Sequence, residues 1–136
     1  MKYFLFMAIL FFLGCAFPNY QIKGTYKDYQ DADLLKKIAS LVTNEDMEIY
    51  ASDADIGMLR AKTLPRSSIG ATCTFHWIIQ IDNGNITAKA KCDCYSGKYH
   101  TVYYLGDNAK PDQYWYWNIR NGLARLCNNN IQIIQM

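Results

Sequence analysis

Apolar and polar residues alternate through residues 71–94, ATCTFHWIIQIDNGNITAKAKCDC, and the spacing turns helical on either side of that stretch. Two strands joined by a two-residue Asn-Gly turn pair outward from the turn, one residue for one residue. With Asn83 and Gly84 in the turn, Cys73 lies opposite Cys94, Phe75 opposite Cys92, Trp77 opposite Ala90, Ile79 opposite Ala88 and Ile81 opposite Ile86. That face is apolar throughout and sets large side chains against small ones. The other face holds Thr74, His76, Gln80, Thr87, Lys89, Lys91 and Asp93, and Ile78 alone breaks the alternation. Such a pattern predicts a sheet that is buried on one side and wet on the other.

Upstream, Leu34, Leu35, Ile38, Leu41 and Val42 recur at helical spacing, with Lys36, Lys37 and Ser40 turned away and Asp28 or Asp31 as a cap. MEIYA and IGMLRAKTL predict two strands joined at SDAD, the second stopped by Pro65, with residues 66–70 as a loop. KYHTVYYL, up to Leu105, suits a fifth strand or an aromatic loop. From Pro111 the period is helical again, with Trp115, Ile119, Leu123, Leu126 and Cys127 on one face. Asp112 near its start and Arg120 and Arg125 later agree with the helix dipole, while Gly122 does not favour a helix. The final NNNIQIIQM can close this helix and add a short strand. Residues 15–30 read as a tether or first strand. The expectation is one α+β domain over residues 31–136: a single antiparallel sheet of about four to five strands, packed on one face by two helices, in the order helix, four strands, helix.

The chain opens MKYFLFMAILFFLGCAFP, with Lys2, an apolar run from Tyr3 to Leu13 and then small residues, the layout of a secretory signal over residues 1–14. The run is short for a membrane span. Gly14 and Ala16 also fit cleavage after Ala16, which starts the mature chain at Phe17. FLGC at 12–15 resembles the lipobox of bacterial lipoproteins, with Phe12 where that family usually has Leu. The resemblance implies a lipid on Cys15, a membrane as partner, and a place in the bacterial cell envelope, facing the periplasm or on the outer membrane. Cleavage after Ala16 implies secretion instead. In architecture, length and lipobox the chain resembles small bacterial envelope lipoproteins whose single domain has a TATA-binding-protein-like helix-and-sheet fold. That likeness implies an envelope protein, carries no implication of DNA binding, and supplies no catalytic residues.

Export places the domain where disulfides persist. Cys73, Cys92, Cys94 and Cys127 then remain, an even number. A Cys92–Cys94 ring is very short, which leaves Cys73–Cys94 with Cys92–Cys127, or Cys73–Cys92 with Cys94–Cys127; the hairpin register favours the first pair. Zinc or copper on these thiols is the competing reading, but Cys-x-Cys on a strand lacks the two-residue knuckle spacing.

Composition narrows the rest. Of 136 residues, 15% are aromatic and 19% charged, which suits one globular domain and not a disordered chain or a coiled coil. The formal net charge of +2 and the lack of a basic run argue against nucleic acid. Residues 31–55 are locally acidic, and the simplest account is a solvated face. No nucleotide, metal-protease or hydrolase motif is present. Asp53-x-Asp55-x-Gly57 has part of a calcium-loop spacing without its closing glutamate, and a hairpin turn accounts for it. Asn85-Ile86-Thr87 is a glycosylation sequon only in a eukaryotic source. His76 falls on the wet face, away from the cysteines, so no catalytic residue, metal or cofactor is assigned. Tyr104, Tyr114 and Trp117 are the candidate interface residues. The reading is a non-enzymatic, exported, lipid-anchored binding module for an envelope protein or glycan. The alternatives are a soluble secreted inhibitor or effector, and a thiol-redox or metal-binding protein that uses Cys92 and Cys94.

Overall fold

The computed structural model describes residues 18–136; the expected signal peptide, lipidation at Cys15 and cleavage after Ala16 lie outside the described residues. In chain order the elements are β1 (Tyr20–Thr25), α1 (Asp31–Asn44), β2 (Glu48–Asp53), β3 (Met58–Lys62), β4 (Arg66–Ser68), β5 (Ala71–Asp82), β6 (Asn85–Ser96), β7 (Tyr99–Leu105), α2 (Tyr114–Leu126) and β8 (Ile131–Gln135). The fold is α+β, with one antiparallel sheet and two helices. The sheet has eight strands, not four or five, and strands also precede the first helix and follow the second.

β5 and β6 form its spine. Asn83 and Gly84 have φ of 44° and 86°, the paired left-handed conformation of a type I′ turn. Every expected pair from Cys73 with Cys94 to Ile81 with Ile86 is present. The hairpin is so long that two strands share each of its outer edges. β3 pairs with β5 from His76 to Gln80, and β4 pairs with it from Ala71 to Cys73. On β6, β1 takes Asn85 to Ala88 and β7 takes Ala90 to Ser96. β2 then extends the sheet beyond β3, and β8 extends it beyond β1. The residues read as a loop at 66–70 therefore include a short strand, and the undecided segments before Asp31, before Gly106 and at the end are strands.

One face of this sheet is covered by the helices. Ile22, Leu59, Ala61, Trp77, Ile79, Ile81, Ile86, Ala88, Ala90 and Cys92 share one core with Leu34, Leu35, Ile38 and Val42 of α1 and Trp115, Tyr116, Ile119 and Leu123 of α2. Trp77 lies at its centre: its ring stacks on Tyr116 at 5.6 Å, and its indole N–H donates to the Trp115 carbonyl at 2.9 Å. Gly122, which is unfavourable in a helix, allows the two helices to meet: a Cβ there would stand 2.6 Å from Leu41 Cδ2. The cap of α1 also differs from expectation. Gln30 occupies the N-cap without a side-chain bond, because Asp31 instead accepts a 2.5 Å hydrogen bond from the Tyr26 hydroxyl and Asp28 accepts from Asn128.

Candidate functional site

Among the described residues no helix lies on the opposite face of the sheet, and its polar positions come into rows across four strands. Lys62 on β3 is opposite His76 on β5, which is opposite Lys91 on β6, which is opposite Tyr104 on β7. In the next row Arg60, Ile78 and Lys89 are neighbours. Two adjacent rows thus hold four permanent cations around one histidine. Among the described residues the ion pairs are His100 with Asp93 and Arg120 with Asp107, so no carboxylate neutralises this group directly. Glu48 is opposite Lys62 on the outer side without pairing to it.

The aromatic residues here hold the cations in place. Lys62 Nζ lies 5.3 Å from the Tyr50 ring centroid and Lys89 Nζ lies 5.8 Å from that of Tyr104, a distance at which the ring quadrupole attracts an ammonium. Tyr50 meets the His76 ring edge-on at 5.9 Å, with its hydroxyl 3.4 Å from Nδ1. His76 is held below the ordinary histidine value, first by partial burial and then by Lys91, with Lys62 adding to the effect and Asp93 opposing it. At neutral pH this histidine is therefore uncharged, and the positive character of the face comes from Arg60, Lys62, Lys89 and Lys91.

The three expected interface residues do not come together. Tyr104 belongs to this open face. Tyr114 is on the helical side and largely exposed. Trp117 is also on the helical side, but its indole N–H donates to the Lys110 carbonyl at 2.8 Å and the Arg120 guanidinium lies 4.9 Å from its ring, so its polar atom and one ring face are used within the chain. The sequence held a signal for the cluster that was not read. Arg-x-Lys at 60–62 and Lys-x-Lys at 89–91 each place two cations on one face of a strand, but only the pairing of β3 with β5 shows that the two faces are the same.

Cys73 and Cys94 are bridged, with their Cα atoms 4.1 Å apart. The expected bridge between Cys92 and Cys127 is not formed: both are buried free thiols. Trp115 at the start of α2 stacks on Phe75, the partner of Cys92. Cys127, at the other end of α2, leads through Asn130 to Thr25 and the Asn83-Gly84 turn. Twelve helical residues separate these ends by about 18 Å, well beyond a disulfide's reach. Burial pushes the Cys92 thiol up to about 12, despite a hydrogen bond from Tyr103 that lowers it, and burial also raises Cys127. Among the described residues no group of three or more His, Cys, Asp or Glu stands close enough to hold a metal ion.

The chain matches no family model, no curated protein and no solved structure. The arrangement of its own side chains is therefore the guide to function. The two-row cation cluster, without an ion pair among the described residues, can bind an anion across neighbouring strands.

Proposed function

We propose that the protein is a non-enzymatic binding module, exported and held at the bacterial envelope through Cys15, that captures an acidic protein partner on its open sheet face. The observation that carries this reading is the cluster of Arg60, Lys62, Lys89 and Lys91 on two adjacent rows without an ion pair among the described residues. An acidic protein suits it better than a glycan or a nucleic acid. Sugars and bases need open aromatic faces, and here lysine ammonium groups cover Tyr50 and Tyr104. The thiol-redox alternative is weakened by the bridge at Cys94 and the raised value of Cys92, since a thiol must lose its proton to attack.

Poly-L-glutamate immobilised on a sensor tests the reading. Lys62→Glu/Lys91→Glu should weaken binding by more than about tenfold, because like charges facing each other across an interface cost several kcal/mol. Lys36→Glu/Lys37→Glu on the exposed side of α1 changes net charge equally and should leave affinity nearly unaltered. Equal losses in the two variants would show that only net charge matters, and the assignment of the open face would fail.

A further inference from the structure

A second surface lies at the end of the sheet away from the Asn83-Gly84 turn. There the β4–β5 and β6–β7 turns run side by side, joined by a 2.6 Å hydrogen bond from Ser96 Oγ to the Gly70 carbonyl and fixed at their base by the Cys73–Cys94 bridge. Their tips carry apolar and aromatic side chains in the open. Ile69 is wholly exposed, Tyr99 is 79% exposed and Tyr95 54%. Leu64, between β3 and β4, is 78% exposed. Of the charged residues nearest these turns, Lys98 beyond Gly97 and Arg66 in β4, beside Phe75, have no ion pair among the described residues, whereas Asp93 is paired with His100, which stacks on Tyr95.

The opposite end is acidic. Asp53 ends β2 and accepts from the Asp55 backbone N–H in the turn to β3, which meets Ile81 through Gly57. Asp82 flanks the hairpin turn, and Asp31 is held by Tyr26, whose backbone N–H donates to Gly84. The molecule is therefore polarised along the strands, with carboxylates at one end and a stapled, apolar, cationic tip at the other.

We propose that this tip seats on an anionic phospholipid bilayer, with Ile69 and Tyr99 in the headgroup region and Lys98 and Arg66 on the lipid phosphates. Exposed aliphatic and tyrosine side chains ringed by lysine and arginine are the composition that an interfacial site requires. No helix among the described residues is long and apolar enough to cross a membrane. The path of the chain agrees. The Asn19 side chain accepts from the Tyr104 backbone N–H, and Tyr20 lies against Gly106, so β1 is approached from the half of the sheet that ends in the tip. A tip on the bilayer leaves the sheet upright and its basic face open to a partner. The proposal goes beyond the reading of that face and does not depend on it.

The test is flotation of the full chain carrying Cys15→Ser, produced in an exporting host, with vesicles of phosphatidylcholine alone or mixed with phosphatidylglycerol. Only molecules whose intact mass shows that the leader has been removed are used, because a retained apolar leader would bind vesicles by itself and mask the tip. The parent should bind the mixed vesicles more strongly. Ile69→Ser/Tyr99→Ser should lower that affinity by about tenfold or more, and Lys98→Gln by about fivefold. Ile56→Ser, which alters an exposed apolar residue in the turn at the acidic end, should change nothing. The proposal is overturned if the tip variants float like the parent, or if Ile56→Ser loses as much. It is also overturned if Lys62→Gln/Lys91→Gln abolishes flotation while the tip variants retain it, which would put the bilayer against the open face. Loss of self-association in the tip variants, without loss of flotation, would make the tip a contact between copies of the chain.

Discussion

Two buried tryptophans in contact differ in one hydrogen bond, and stability should register the difference. The Trp77 N–H donates to the Trp115 carbonyl at 2.9 Å, whereas the buried Trp115 N–H has no partner among the described residues. A buried donor left unpaired costs about 1–3 kcal/mol. Trp115→Phe removes that orphan and keeps a ring to stack on Phe75, so the loss of indole volume is offset. Trp77→Phe removes a satisfied donor from the centre of the core and leaves a void beside Tyr116. In urea unfolding, Trp115→Phe should stay within about 1 kcal/mol of the parent and Trp77→Phe should lose about 2 kcal/mol or more. A loss for Trp115→Phe as large as that for Trp77→Phe would contradict a difference between the two N–H groups.

At the scale of elements, what the sequence made legible was whatever rests on local periodicity. The β5–β6 register followed from one Asn-Gly turn and strict alternation, because a one-residue slip would turn every large side chain out to water. Both helices followed from their apolar stripes. β4 was missed because three residues after a proline carry no period, and β1 and β8 were undecided because Ile22 alone in β1 is deeply buried. The open-face cluster was hidden for a related reason: alternation gives a residue's face, but not which strand lies beside it. The Cys92–Cys127 error shows the same limit. Both residues were correctly placed on core faces, yet position along the helix axis depends on α2 running antiparallel to β6. The bridge that did form closes a loop with a sequence separation of 21, worth about 3 kcal/mol on the chain-entropy view. Cys73→Ala/Cys94→Ala should therefore lose about that much in denaturant unfolding. Native Cys92 and Cys127 should resist alkylation until denaturant is added, since burial keeps both protonated; rapid labelling of the folded protein would contradict their placement.

For the whole molecule, the cations around His76 on the open face make folding and binding respond to acid in opposite directions. The histidine's folded value is lowered by burial and by Lys91 and Lys62, against the pull of Asp93, so the fold favours the neutral ring. Its contribution to stability is complete above the unfolded value of about 6.5 and is lost as pH falls through that value towards the folded one, because over that span the unfolded chain binds more protons. Thermal midpoints should fall between pH 7.5 and 5.5, and more steeply in the parent than in His76→Gln. An acidic partner seated on the open face reverses the balance at this ring. Carboxylates facing Lys62 and Lys91 offset the repulsion that keeps His76 neutral, raise its value, and make binding take up a proton. Affinity for poly-L-glutamate, whose side chains stay largely ionised at pH 6, should therefore strengthen from pH 7.5 to 6 in the parent and stay level in His76→Gln. A parent whose affinity and stability decline together over that range would place the partner away from His76, and with it away from the rows of cations on either side.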